Sequence, residues 1–382
     1  MAYQEKEARE LVVRAGHRLL EAGLTARTWG NISARISDQA FVITPSGRGY
    51  EDMKPEDLVV VQIGDCSYEG TEKPSSEKGI HADAYRLRPA VDFVIHTHQD
   101  HASAVGVTGE SITGLSDSVL GGCVPCAAYG LPSTNTLRLA VAGALEEHPE
   151  AQAVLMKNHG ALCLGSDMET AFAVAKRLER ICKEQAEKTL GAEAWSETGE
   201  VTDYGRSQRS GEKFRFSKDG ETKIYSLKRL PEGICEEAAV HAAIYRATGL
   251  SYLVSLQSPL AERIVRSGKP LKPYLDDLAQ IAGTEVDCVV AGMKQTPALA
   301  ARAMKGKNAL LFSDGGAICG GMTADDALAV RTILEKGCEA ALYGRKHGAA
   351  PLSYPDCLLQ RVIYQKKYSR QKERGNAEKA DR

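Results

Sequence analysis

Three histidines carry the chemistry this sequence offers. His96 and His98 stand two apart at the end of the apolar run Val91-Asp92-Phe93-Val94-Ile95. In a β-strand, residues two apart point to the same face, so both imidazoles can share one ion. His159 lies in Asn158-His159-Gly160, the turn that closes another apolar run, and can add a third nitrogen from a neighbouring strand end. A lone histidine is more often a hydrogen-bonded core residue; H-x-H at a strand end is more specific. Three neutral imidazoles and an open fourth position describe a catalytic zinc-type centre rather than a closed structural one. Glu77, behind Ser75-Ser76 at the expected start of a helix, is the candidate for the fourth position or for the general base. Ser-Ser-Glu is equally an ordinary helix-capping signature.

Groups suited to an anion come from three further turns: Gly30-Asn31-Ile32-Ser33, Thr44-Pro45-Ser46-Gly47 and Pro74-Ser75-Ser76. Backbone N–H groups at tight turns and a helix N-terminus, joined by hydroxyl and amide side chains, make a phosphate site without a basic patch. Gly47-Arg48-Gly49 is a lone G-x-G with no helix pattern behind it, which does not support a dinucleotide fingerprint. Cys123-Val124-Pro125-Cys126 has no second pair and reads as a turn.

The elements that must position these groups are mixed. Apolar spacing over Glu5 to Gly23 predicts an amphipathic helix. NISARI, FVITPSG and DLVVVQIGD read as strands, and KPSSEKGIHADAYRLRP as a helix capped by Ser75 or Ser76 that ends before Pro89. VDFVIHTHQDHASAV passes from strand to helix. AVLMKNHGALCLG is strand–turn–strand, and METAFAVAKRLERICKEQAEKTL is a long helix. The fold class is α/β.

With 382 residues the chain can hold two or three domains. Its 48 basic and 50 acidic side chains, a net charge of −2, argue against nucleic-acid and anionic-membrane binding. Ten cysteines are too sparse for a disulfide scaffold, the N-terminus lacks the apolar core of a signal peptide, and no apolar run reaches membrane-span length. The expectation is a cytoplasmic protein with reduced thiols.

The second half repeats the first. SEKGIHADAYR at 76–86 matches EEAAVHAAIYR at 236–246, placing Glu77, His81 and Tyr85 on Glu237, His241 and Tyr245. VIHTHQDHA falls on LVSLQSPLA, and LMKNHGALCLG on LFSDGGAICGG. His96, His98 and His159 thereby become Ser255, Gln257 and Gly315. Side chains lost together while their frame survives behave as one chemical unit. His81 survives as His241, which argues packing rather than catalysis. The copy is expected to lack counterparts of GNISARI and TPSG, with only a short KFRFSKDGETKIYSL hairpin before its first helix. The expected division is 1–200 for the intact domain, 201–220 for a linker, 221–350 for the degenerate repeat, and 351–382 for an extension and charged tail.

Taken in order, TWGNISAR, FVITPSG, PSSEKGIH, HTH and NHG resemble the class II aldolase/adducin family, over about residues 5–190. The resemblance implies a central β-sheet flanked by helices, here as a tandem of one intact and one truncated, metal-less copy. It places the family's zinc ligands on His96, His98 and His159, and the aldolase acid/base carboxylate, also a zinc ligand, on Glu77. The phosphate loops fall on Gly30, Asn31, Ser46, Gly47, Ser75 and Ser76. Glutamate at 77 resembles the aldolase branch, since the related epimerases carry aspartate there. The aldolase's catalytic tyrosine is absent from GESITGLSDSVLG, where Asp117 stands in place of an epimerase acid/base aspartate. The implied reaction is retro-aldol cleavage of a phosphorylated ketose to dihydroxyacetone phosphate and an aldehyde, with one Zn2+ (or Mn2+ or Co2+) per chain. Epimerisation or dehydration at the same site is the alternative, and an adducin-like scaffold the non-catalytic one. Family members form fourfold rings, so a tandem chain is expected to imitate one as a homodimer.

Overall fold

The apolar spacing near the N-terminus does form a helix, α1 (Glu5–Glu21), which buries Ala8, Leu11, Val12, Ala15 and Leu19. Gly23, at φ +65°, adopts the left-handed conformation that follows a helix end. A computed structural model describes residues 2–25, 29–196 and 201–366. The chain divides into two compact units at 188/189.

In the first unit α1 precedes β1 (Asn31–Arg35), β2 (Ala40–Ile43), β3 (Val59–Gln62), α2 (Lys78–Leu87), β4 (Phe93–Thr97) and α3 (Asp100–Gly106). A hairpin of β5 (Ile112–Asp117) and β6 (Gly121–Val124) leads to β7 (Cys126–Ala127), α4 (Asn135–Glu147), β8 (Ala153–Met156), β9 (Gly160–Gly165) and α5 (Met168–Leu190). Seven strands form one sheet in the order β3-β2-β1-β4-β9-β8-β7, antiparallel except for β7 beside β8. The core between this sheet and helices α2 and α4 is built from Phe41, Ile43, Ile80, Val94, Leu137 and Leu162, among others.

The second unit runs β10 (Arg206–Ser210), β11 (Lys213–Lys218), β12 (Glu221–Ser226), α6 (Glu236–Ala247), β13 (Tyr252–Gln257), α7 (Pro259–Arg266) and α8 (Asp276–Ile281). It closes with β14 (Cys288–Val289), α9 (Thr296–Ala303), β15 (Ala309–Phe312), β16 (Gly316–Gly321) and α10 (Ala324–Lys346). Its sheet order, β12-β11-β10-β13-β16-β15-β14, repeats the first sheet position for position.

Two expectations are corrected here. Residues 206–218, read as linker, are the strands β10 and β11. Ser207 pairs with Leu253 as Ser33 pairs with Val94, so β10 is the counterpart of NISAR and Ser217-Lys218-Asp219-Gly220 that of TPSG. The copy therefore keeps all seven strands. Alternation was hidden because every second residue, such as Arg206, Gln208 and Arg215, is polar and exposed while Ser207, Phe214 and Phe216 turn inward. Within the expected extension, residues 354–366 are helical, with Cys357 and Gln360 buried and Arg361 donating to Gln280 O and Ile281 O. The charged tail from 367 on lies outside the described residues. Among the described residues no helix is long and apolar enough to cross a membrane.

Candidate metal centre

Each histidine is placed by the sheet. β4 pairs with β1 and β9, setting Asn31 opposite His96 and His96 opposite Leu162. His98 stands one residue beyond the end of β4, yet its ring centroid lies 4.8 Å from that of His96. His159 sits in the β8–β9 turn, where Asn158 takes φ +62°. Gly160 is required there: a Cβ would lie 2.2 Å from Thr97 O. The close approach of this turn to β4 is what brings the third imidazole in.

The Nε2 atoms of His98 and His159 lie 3.1 and 3.0 Å from Nε2 of His96. Glu77 closes the group, with Oε2 3.4 Å from His96 Nε2 and Oε1 3.4 Å from His159 Nε2. All four side chains are buried. His96 Nδ1 is 3.0 Å from Ala161 O. A carbonyl only accepts, so that nitrogen carries the proton and Nε2 presents its lone pair. Tetrahedral zinc at ~2.0–2.1 Å from each nitrogen sets its ligands roughly 3.3–3.4 Å apart, close to the spacing seen. Converging imidazole nitrogens and a carboxylate in a buried pocket are stable together only around positive charge, supplied by a cation or by protons on the rings. His96, His98 and His159 thus fit a divalent ion, and they are the only such cluster among the described residues.

Burial by itself raises the Glu77 carboxyl, but with protons on the imidazoles in place of a metal, the His96 charge, the hydrogen bond from His159 and the Asn31 amide outweigh it and hold it well below the usual carboxylate range. The helix begins at Lys78, so Glu77 precedes its first turn rather than lying within it. Ser75 Oγ accepts from the Glu77 N–H at 3.3 Å.

Asn31 has a role the spacing did not reveal. Its Nδ2 donates to Glu77 Oε2 at 2.9 Å, and its Oδ1 accepts from His81 Nε2. His81 Nδ1 meets Ser33 Oγ at 2.6 Å, and Ser33 Oγ meets the Tyr85 hydroxyl at 2.7 Å. Burial, then the charge of His96, pushes the His81 imidazole down to about 3, so it stays neutral. The same Ser–His–Tyr chain recurs in the second unit as Ser207, His241 and Tyr245. A network kept where the metal ligands are gone serves packing. Sequence reading also missed Tyr50, whose hydroxyl is buried without a partner among the described residues and whose titration is raised by burial and by the charge of Glu77.

The anion turns gather at the same sheet end. Pro45 and Pro74 form a bridge, Ser46 N–H donates to Lys73 O, and Ser75 N–H donates to Thr44 O. Ser46 and Ser76 are exposed at this junction, and Gly47 takes φ +78°. Gly30 lies at φ +79°, where a Cβ would stand 2.4 Å from His96 O. Asp117 ends β5, its carboxylate taken by Arg177 Nε at 2.5 Å and by the Val119 and Leu120 N–H groups. None of these bonds reaches the histidines. Cys126 is a thiol that burial pushes up to about 12, which leaves it inert at neutral pH.

The Class II Aldolase and Adducin N-terminal domain family matches residues 10–186 and again residues 219–342. The chain belongs to this family. It resembles a 5-deoxy-D-ribulose 1-phosphate aldolase of Bacillus thuringiensis, 36% identical over 177 residues that make up 46% of this chain and 82% of the relative. It also resembles the structure of an L-fuculose 1-phosphate aldolase, at 31% identity, TM-score 0.45, 48% of this chain and 88% of that one. The Thermus thermophilus L-fuculose-1-phosphate aldolase is similar at 28% identity, TM-score 0.41, over 48% and 96%. The protein is a class II aldolase in which a histidine cluster that could hold a metal ion accompanies one of two copies of the domain.

In the aldolase's second unit, a tyrosine ring lies beside the counterpart of Gly160. A Cβ on Gly316 would meet the Tyr204 ring at 2.7 Å, whereas one on its counterpart Gly160 would have His96 Cε1 at 3.2 Å. Tyr204 stacks on Phe312 and donates to Asp314 Oδ2. Glu237, the counterpart of Glu77, accepts from Lys218 Nζ at 2.6 Å. There the carboxylate is paired with an internal ammonium group.

Proposed function

We propose that this aldolase cleaves a ketose 1-phosphate between C3 and C4, releasing dihydroxyacetone phosphate and an aldehyde. The observation that carries this is Glu77, buried against His96 and His159 with its carboxylate oriented by Asn31. The named relatives, aldolases of a 5-deoxy-D-ribulose 1-phosphate and an L-fuculose 1-phosphate, support the substrate class.

In this reading His96, His98, His159 and Glu77 hold one zinc, with manganese or cobalt as substitutes. A bound divalent ion supplies Lewis-acid stabilisation of the enediolate charge left when the C3–C4 bond breaks. The chain's residues do the rest. The turns at Gly30-Asn31, Ser46-Gly47 and Ser75-Ser76 receive the phosphate through backbone N–H and hydroxyl donors. Loss of the C4 hydroxyl proton releases the aldehyde, and the bonding pair passes to the ketone end. Asp117, which Arg177 holds ionised, is the candidate base for that proton. Glu77, which takes up a proton from solvent once substrate displaces it from His96 and His159, delivers that proton to C3 to complete dihydroxyacetone phosphate, and Asp117 returns the C4 proton to solvent. Its burial beside fixed partners makes it a positioned acid and base.

The test is a panel of ketose 1-phosphates and 5-phosphates, scored for triose phosphate and aldehyde. Cleavage of a 1-phosphate that is lost in Glu77→Gln and reduced in Asp117→Asn supports the assignment. A metal-loaded protein that epimerises or dehydrates these substrates without cleaving them would overturn the reaction.

A further inference from the structure

One helix is present in the first unit and has no counterpart in the second. α1 lies over β1 and β2, and beneath it Ile32, Ala34, Val42, Phe93 and Ile95 are fully buried. Arg18 of α1 covers the Phe172 ring of α5 at 4.4 Å, leaving Phe172 2% exposed. No α-helix precedes β10 in the second unit among its described residues. Leu328, at the Phe172 position of α10, is 47% exposed.

The uncovered face has a definite chemistry. Where the first unit has Ile32, Ala34 and Val42, strand pairing places Arg206, Gln208 and Arg215. Arg331 of α10 and Tyr252 of β13 complete a cavity of about 770 Å³. No ion pair engages Arg206, Arg215 or Arg331 among the described residues. Lys218 also lines the cavity but is taken by Glu237, and the acids there are Asp203 and Asp219. Asp203 accepts from the Gly205 N–H. A face that only needed to be wet after losing its helix would be served by residues of either sign. Here the open-face side chains of β10 and β11 are cationic or neutral, in a chain whose net charge is −2.

We propose that this groove binds a small organophosphate anion, at a site distinct from the metal centre. Guanidinium groups match phosphate oxygens through paired N–H donors. Arginines on a strand, its neighbour and the flanking helix surround the cavity from three sides, and the volume falls in the range that small ligands occupy. The inference does not depend on which reaction the first unit performs.

Pyrophosphate is the probe, titrated calorimetrically into the full-length, metal-loaded chain at low salt. Two classes of site are expected, one at the phosphate turns of the first unit and one in the groove. Arg206→Gln with Arg215→Gln removes the second class, weakening it at least tenfold, while melting temperature and cleavage activity stay as in the parent. Arg331→Gln, on a different element, gives the same direction of change. The proposal fails if the parent shows a single class, or if the double variant binds as many pyrophosphates as tightly. It also fails if single-stranded RNA binds the groove with affinity that grows with length, which would assign the face to nucleic acid.

Discussion

Asn31→Ala tests how the site works. The Asn31 amide donates to Glu77 at 2.9 Å, and its other end is held by a neutral His81. A hydrogen bond to a charged group contributes about 1.5–3 kcal/mol, and each ~1.4 kcal/mol is tenfold in rate. If that bond holds Glu77 where it must protonate C3, kcat falls roughly 10- to 150-fold. KM changes little, because the backbone N–H and hydroxyl donors of the phosphate turns and the three histidines are kept. The amide also lowers the Glu77 carboxyl, so its removal lets that group rise; the C3 proton donor then keeps its proton to higher pH, and the basic limb of the rate profile moves to higher pH. The assay is dihydroxyacetone phosphate release coupled to nicotinamide oxidation across pH 5–9, with bound metal measured on the same samples. An unchanged kcat with a raised KM would show that Asn31 contacts substrate phosphate, as the sequence implies, and would refute the orienting role.

Chelation should abolish cleavage, and the parent should carry one divalent ion per chain by elemental analysis, falling near zero in His96→Ala. Gly160→Ala forces a Cβ against Thr97 O, backbone against backbone, and should cost about 2–4 kcal/mol of stability and displace His159, read as lost metal together with a lower melting temperature. His241 is pushed by burial down to about 3, below its unfolded value near 6.5. The unfolded chain therefore binds the extra proton between those limits, and stability falls as pH drops through that window by up to about 1.4 kcal/mol per unit. His241→Gln should flatten that slope in urea titrations at pH 4–6.5. Sedimentation at micromolar concentration should show a homodimer; a monomer with full activity would remove the expectation of a ring-like assembly.

The sequence by itself determined the elements and the ligand types. Apolar alternation ending in H-x-H marks a strand edge, and the joint loss of three histidines in the repeat identifies them as one unit. These signals are local, or internal comparisons within one chain. The sequence could not show that Glu77 oxygens stand between His96 and His159, because that depends on how β4 registers against β9 and on how closely the 158–160 turn approaches Thr97. Nor could it show that Asn31 turns its amide to Glu77, since an asparagine at a turn reads equally well as an anion donor. The second unit is the sharper case. β10 was taken for linker, and β11 for part of an isolated hairpin, because their outward residues are polar or charged, and a strand with a wet face gives only a weak hydrophobic signal. Only tertiary pairing decided that the copy keeps its whole sheet, sets Tyr204 beside Gly316 and bares an arginine-lined face where the first unit packs α1.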